Sequence, residues 1–150
     1  ELLAGCKPRI ALAEVMALAR EANRYLEEKG PWFQIKGDPQ AAATSIYVAL
    51  RAIDSLKVLF APFLPFSSER LHQYLGYEGT LFGRSYVATF QEAEGRLHEA
   101  LCYDGSTATG EWAASQLPAG QPLRAPEPLY AKLDERVAEE ERARTVQPTA

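Results

Sequence analysis

Cysteine is scarce in this sequence, which contains only Cys6 and Cys102 among 150 residues. Two cysteines cannot build the disulfide framework that stabilises small secreted domains, and these two stand far apart in the chain. No pair of cysteines or histidines has the spacing that is typical of metal ligands. The sequence therefore predicts two reduced thiols in a cytoplasmic protein, and it predicts no metal site.

Long apolar runs are also missing. The longest one extends from Val58 to Phe66 and contains two prolines, whereas a helix that spans a bilayer needs about 20 apolar residues. The amino terminus has no basic start followed by an apolar stretch, so no secretory signal peptide is predicted. It has no initiator methionine either. We therefore expect part of a longer polypeptide, without a membrane segment.

An excess of positive charge is absent, since the formal net charge is −4. This balance argues against a general polyanion binder, so any contact with nucleic acid must be local and specific. Motifs for hydrolysis and for phosphate binding are missing as well, and His72 and His98 stand alone. The acidic run from Glu139 to Glu141 indicates a solvated helix face. The sequence thus predicts no catalytic site within the chain.

What the sequence does contain is helical periodicity. Apolar residues recur at spacings of three and four over residues 9–29, which predicts an amphipathic helix. The pair Gly30-Pro31 is typical of a helix stop. An irregular connection is predicted after Pro31.

Two further helices are predicted downstream. Residues 39–60 carry a broad apolar face, and Asp38 stands where an N-cap is expected. A short third helix is predicted over residues 67–75, with Ser67 or Ser68 as its cap. The prolines between the two segments are expected to end the second helix.

The character of the chain changes after these helices. Residues 86–90 and 97–103 favour strands, and the turn residues between them predict a β-hairpin. Residues 104–128 are predicted to be loop. A solvated C-terminal helix is predicted over residues 127–144. Its thin apolar stripe consists of Leu129, Leu133 and Val137.

The end of the first predicted helix contains a candidate binding residue, Trp32. Pro31 fixes the backbone just before it, so the indole can present a flat face with little entropy to lose. Stacking of a nucleic-acid base on such a face contributes about 1–3 kcal/mol. Arg20, Arg24 and Lys29 supply nearby cations for phosphates or base edges. The alternative is that Trp32 fills the core of the bundle.

Asn23 lies near the centre of the apolar stripe of the same helix. If it is buried there, its amide must find hydrogen-bond partners, because an unsatisfied buried polar group costs about 1–3 kcal/mol. A structural hydrogen bond to a neighbouring loop would meet this need. The neighbouring charged side chains, including Arg24 and Glu27, can be read either as binding groups or as surface ion pairs at helical spacing.

Three short motifs occur here in an order and spacing that resemble the anticodon-binding domain of the methionyl-tRNA synthetase family. The first is Ala22-Asn23-Arg24-Tyr25 followed by Pro31-Trp32, and the second runs from Phe60 to Ser67. The third comprises the proline-rich stretches of residues 117–123 and 126–130. Together the matches cover residues 9–76 and 110–144.

This resemblance implies an all-α fold, an antiparallel helix bundle of the class I synthetase anticodon-binding type with a small β-hairpin or loop insertion. It divides the chain into a helical anticodon-binding domain over residues 1–76, an insertion and loop over 77–125, and a C-terminal helix and tail over 126–150. The family's first anticodon-domain helix is expected upstream of Glu1.

The resemblance also implies a parent enzyme that ligates methionine to its tRNA with ATP and Mg²⁺. The family's two nucleotide-binding signature motifs do not occur here, so no cofactor is expected in this chain. The implied partners are methionine tRNA and the catalytic domain of the same polypeptide, with no membrane.

By the same resemblance, Trp32, which follows Pro31, corresponds to the residue on which the first anticodon base stacks, and Glu27 corresponds to an acid that repels wrong anticodons. Asn23 and Arg24 belong to the motif without an assigned base contact. A helical scaffold with a core Trp32, and the anticodon domain of another class I synthetase, remain the alternatives.

Overall fold

The computed structural model describes residues 1–146 of the protein. It is mostly helical and contains a small two-stranded antiparallel sheet, which agrees with the predicted helices and hairpin. The elements are α1 (Pro8–Lys29), α2 (Pro31–Gln34), α3 (Pro39–Phe60), α4 (Pro65–Tyr74), β1 (Arg84–Gln91), β2 (Leu97–Asp104) and α5 (Glu135–Val146). None of the helices within this range is long and apolar enough to cross a membrane.

Helix α3 lies at the centre of the helical part, because α1, α2 and α4 each pack against it. The predicted N-cap is confirmed, since the Asp38 carboxylate accepts a hydrogen bond from the Ala41 amide at 2.9 Å. Helices α1 and α3 pack on each other, and each of them buries small residues. They include Ala11 and Val15 on α1 and Ala42 and Ala49 on α3.

The predicted helix stop at Gly30 is confirmed. Gly30 adopts the left-handed conformation with φ of 50°, and its N–H donates to the carbonyl of Leu26 at 2.9 Å. The prediction of an irregular connection after Pro31 is wrong up to Gln34. A single helical turn, α2, forms there because proline at the first helical position fixes φ and gives up no hydrogen bond.

The predicted cap of α4 is also wrong. The helix begins at Pro65, two residues earlier than predicted, and no side chain caps it. Pro65 presets the helical φ at the first position, where its missing N–H loses no helical hydrogen bond. Ser67 instead lies 2.7 Å from the Tyr130 hydroxyl, and the buried Ser68 hydroxyl has no hydrogen-bond partner among residues 1–146. Both serines are therefore internal helix residues.

The predicted hairpin is confirmed, with strands slightly longer than expected. Strands β1 and β2 pair in an antiparallel register in which Val87 faces Leu101. The Gly95 amide closes the turn by donating to the Glu92 carbonyl at 2.9 Å. The Glu69 carboxylate on α4 accepts hydrogen bonds from two backbone amides, at residues 81 and 82, and so holds the base of the hairpin.

The segment after the hairpin crosses α3 as an irregular strap, in agreement with the predicted loop. The Tyr47 hydroxyl donates to the carbonyl of Leu117 at 2.8 Å, and the Arg51 guanidinium donates to the carbonyl of Ser115 at 2.6 Å. A Cβ atom at Gly76 would lie 2.0 Å from the carbonyl oxygen of Pro122. The strap thus needs a glycine where it passes the end of α4.

The start predicted for the C-terminal helix is wrong. Helix α5 begins at Glu135, so Leu129 and Leu133 precede it and form no helical stripe with Val137. The Asp134 carboxylate accepts a hydrogen bond from the Arg136 amide at 3.0 Å, which fixes the start of the helix. Further upstream, the Arg70 guanidinium lies 3.5 Å from the carbonyl oxygen of Leu129, and this residue is not part of a helix. Residues 147–150 of the predicted tail lie outside the described residues.

A buried polar network connects α3 with α4 and with the hairpin base. Lys57 donates to the Asp54 carboxylate at 2.7 Å and to Nδ1 of His72 at 3.1 Å, and its ammonium group lies 4.2 Å from the centre of the Tyr77 ring. The Tyr77 hydroxyl donates to the other Asp54 oxygen at 2.8 Å. His72 is therefore a core histidine in a satisfied network.

The network also defines the tautomer of His72. An ammonium group has donors only, so Nδ1 of His72 must accept from Lys57, and its proton must sit on Nε2. Nε2 lies 3.0 Å from Oγ1 of Thr109, whose hydroxyl then donates to the carbonyl of Thr80 at 2.9 Å. This chain of donors is complete only when His72 is neutral.

Burial lowers the pKa of His72, and the charge of Lys57 lowers it further, whereas the carboxylates of Glu69 and Asp54 oppose the shift. Burial alone would raise the pKa of Asp54, but hydrogen bonds from Lys57 and two hydroxyl groups lower it. The neutral histidine and the ionised aspartate are thus the forms that the fold stabilises.

The free energy of unfolding is expected to fall when the pH drops below the ordinary histidine pKa of about 6.5. In that range the unfolded chain takes up a proton on His72 before the folded chain does, so stability decreases with decreasing pH. Urea denaturation between pH 7 and pH 5 measures the effect. His72→Gln should flatten the dependence, because it removes the buried imidazole. An unchanged profile in His72→Gln would contradict this account.

Candidate nucleic-acid interface

The candidate interface lies where α1 ends and α2 begins. The left-handed Gly30 turns the chain, Pro31 is buried against the fold, and the next two side chains project outward. The side chain of Trp32 is 53% exposed and that of Phe33 is 72% exposed. Two adjacent aromatic residues with this exposure cannot be explained as core packing.

Helix α2 is short but well anchored. The Phe33 amide donates to the Gly30 carbonyl at 2.8 Å, and the Asp38 amide donates to the Gln34 carbonyl at 2.8 Å. The side-chain oxygen of Gln34 accepts a hydrogen bond from the buried Ser45 hydroxyl of α3 at 2.9 Å. These contacts fix the backbone of α2 before any ligand arrives, which reduces the entropy lost on binding.

The two aromatic rings of α2 meet edge to face. The ring centres of Trp32 and Phe33 lie 6.1 Å apart, and the ring planes are inclined by 63°. The core alternative for Trp32 requires a buried indole, and the observed exposure of about half the side chain disagrees with it. The sequence predicted Trp32 as a binding residue and gave no role to Phe33, although the two aromatic residues stand together after Pro31.

Arg24 lies on the exposed side of α1 between two acids. Its guanidinium pairs with Glu21, and its Nε lies 3.8 Å from Glu28. The interpretation of the charged side chains as surface pairs at helical spacing is therefore confirmed for Arg24. Exposed pairs of this kind contribute only about 0–1 kcal/mol. Arg24 can consequently exchange these partners for a phosphate at little cost.

The expected burial of Asn23 is wrong. The residue is exposed, and its amide makes no hydrogen bond with another part of the chain within residues 1–146. The face of α1 that packs on α3 is centred on Ala11 and Val15, and Asn23 lies outside it. Its amide therefore has no desolvation penalty and is open to solvent, as is the carboxylate of Glu27.

Charges of both signs surround the aromatic pair. Lys29 and Lys36 are exposed and stand two residues before and two residues after α2. The Lys29 ammonium group lies 6.0 Å from the centre of the Tyr25 ring. The structure thus brings all five predicted site residues to the last two turns of α1 and the start of α2. Cations at the two ends of α2 flank the exposed rings.

Concave regions also lie outside this interface. A polar pocket of about 180 Å³ is lined by Asp54, Lys57 and His72, but the network described above already uses these groups. An apolar groove of about 580 Å³ lies beside the start of α1, and Val15, Leu59 and Trp112 are among its lining residues. Within residues 1–146, no group of three or more His, Cys, Asp or Glu side chains could hold a metal ion.

Comparison with known proteins gave a consistent result. A family model described as the anticodon binding domain of methionyl tRNA ligase matches residues 2–100. A methionine–tRNA ligase of Thermomicrobium roseum is 55% identical over 146 residues, which make up 96% of this chain and 25% of that protein.

The methionine–tRNA ligase of Chloroflexus aggregans is 54% identical over 144 residues, covering 96% of this chain and 24% of that protein. That of Dehalococcoides mccartyi strain CBDB1 is 43% identical over 142 residues, covering 95% of this chain and 21% of that protein. The chain therefore spans about a quarter of the length of the curated relatives that it matches.

Proposed function

Since the chain belongs to the family of the anticodon-binding domain of methionyl-tRNA ligase, we propose that it recognises the anticodon of methionine tRNA as one part of a longer synthetase. The observation that carries this proposal is the half-exposed Trp32 on the anchored turn α2. An exposed indole on a rigid support suits stacking of one unpaired base, because every base has a π-face. Single-stranded loops are the usual targets of such recognition in RNA.

The other predicted residues receive supporting roles in this proposal. Pro31, which is buried, positions the indole through its fixed φ. The exposed carboxylate of Glu27 repels a wrong base edge or a phosphate. Arg24 leaves its acidic partners to meet a phosphate, and the exposed amide of Asn23 supports the loop without a base contact of its own. The overall charge of −4 is compatible with this local recognition.

The proposal extends to the organisation of the parent protein. Residues 1–76 form the anticodon-binding helices, a bundle of the class I synthetase type, whereas 77–125 are an insertion and 126–150 a C-terminal helix and tail. A preceding helix of the parent covers the apolar groove beside α1. The isolated chain is therefore expected to be less stable than the same residues in the parent.

The chemistry of the parent lies elsewhere in the polypeptide. We assign ATP and Mg²⁺ to a catalytic domain outside these residues, because the chain spans about a quarter of the length of the methionine–tRNA ligases that it matches. The partners of the chain are then methionine tRNA and that catalytic domain. The parent ligates methionine to its tRNA, and this chain contributes to the choice of tRNA.

The full-length parent is expected to bind methionine tRNA more tightly than the same tRNA with an altered anticodon. An altered base edge that leaves a polar group of the interface unpaired should cost about 1–3 kcal/mol. Filter binding with both tRNAs at one salt concentration measures the difference. Equal affinities would contradict anticodon recognition and favour a scaffold role for the helices.

A further inference from the structure

Phe33 has no role in the recognition described so far, yet it is the more exposed of the two aromatic residues on α2, at 72%. An apolar ring with this exposure gains little from folding, because most of its surface stays in water. Gly30 lies directly behind it, since a Cβ atom at Gly30 would be 3.1 Å from Cδ2 of Phe33. The ring is thus backed by the backbone on one side and open on the other.

The relative orientation of the two rings decides what Phe33 can contact. A base that stacks flat on Trp32 cannot also stack flat on Phe33, because the ring planes are inclined by 63°. The ring centres are 6.1 Å apart, which is within the reach of two bases that adjoin in a single strand. Bases of an unpaired loop can be splayed apart and stacked separately on different aromatic rings.

From this geometry we infer that Phe33 is a second stacking platform, which holds a second unpaired base of the same RNA loop beside the base on Trp32. The inference rests on the proposed function and adds a specific residue to it. The two platforms force adjacent bases out of a common stack, so a loop that can splay binds better than a rigid one. The exposed Lys29 and Lys36 are placed to neutralise the phosphates that border these two nucleotides.

The exposed position makes Phe33 a favourable site for mutagenesis. Replacement should leave folding intact, since surface substitutions usually change stability little. Phe33→Leu keeps the apolar bulk and removes the π-face, whereas Phe33→Tyr keeps the π-face. Ile35→Ala is the matched control, because Ile35 is a neighbouring apolar side chain that is 56% exposed and lacks a ring.

In the full-length synthetase, Phe33→Leu is expected to weaken binding of methionine tRNA by about 5- to 150-fold, the value of one stacked base. Phe33→Tyr and Ile35→Ala should stay within about twofold of wild type. Abasic substitutions at single anticodon-loop positions identify the base concerned. If removing one base does not weaken binding to Phe33→Leu any further, that base is the one that Phe33 holds. The two losses are then not additive.

Wild-type affinity of Phe33→Leu would overturn the inference. A clear decrease in the melting temperature of Phe33→Leu would also overturn it, because the ring would then pack inside the parent protein. Trp32→Ala, measured in parallel, distinguishes a failure of the second platform from a failure of the proposed function. If Trp32→Ala weakens tRNA binding and Phe33→Leu does not, only the second platform fails. If neither variant weakens binding, the proposed function itself fails.

Discussion

Replacing Asp54 by alanine is expected to lower the free energy of unfolding by about 3–5 kcal/mol, because it leaves the buried Lys57 ammonium group without its counter-ion. Both side chains are almost fully buried, and their ion pair measures 2.7 Å. The change also removes the acceptor of the Tyr77 hydroxyl. Urea denaturation of the 150-residue chain at pH 7 measures the loss.

The double variant Asp54→Ala/Lys57→Met is the control for this prediction. It removes both charges, so it should recover a substantial part of the lost stability even though one more side chain has changed. A loss below about 1 kcal/mol in Asp54→Ala would show that the ammonium group remains hydrated. Such a result would contradict the description of the network as buried and satisfied.

Replacing Trp32 by alanine in the full-length synthetase is expected to weaken recognition of methionine tRNA by about 1–3 kcal/mol, the value of one stacked base. Trp32→Phe should lose less, since any aromatic face can stack. The melting temperature should change little, because about half of the side chain is already exposed. A core tryptophan would instead cost about 3–5 kcal/mol of folding stability, so that folding and binding would fail together.

The salt dependence of tRNA binding separates stacking from phosphate contacts. Trp32→Ala should keep the wild-type slope, because an indole neutralises no phosphate. Arg24→Ala is the contrasting variant, since a lost phosphate contact flattens the slope. Its ion pairs with Glu21 and Glu28 are exposed and contribute little to stability, so the variant should fold normally.

Local signals in the sequence predicted much of the fold. Asp38 as N-cap and Gly30 as helix stop predicted two helix ends because capping depends on a few neighbouring residues. Strand-favouring residues on both sides of a short turn predicted the hairpin, which is also a local feature. Two local signals were missed: proline at the first position of α4, and the Asp134 cap that starts α5.

Long-range contacts account for the remaining differences between the predicted and the observed structure. The partner of Lys57 on α4 is His72, fifteen positions away, and Thr109 completes the chain of donors from a distant loop. No local pattern contains these pairings. Trp32 was predicted as a candidate binding residue from its proline and its position after a helix, which are sequence features. The exposure of Asn23 was not predicted. Helical periodicity defines an apolar stripe, but it does not show which part of the stripe a neighbouring helix covers.

The central claim is that this chain reads the methionine anticodon through Trp32. The most direct test compares wild-type and Trp32→Ala synthetase for the efficiency of charging methionine tRNA, alongside methionine-dependent exchange of pyrophosphate into ATP. The account predicts that the variant charges this tRNA about 5- to 150-fold less efficiently and exchanges pyrophosphate normally. Unchanged charging by Trp32→Ala, or an equal loss of exchange and charging, would contradict it.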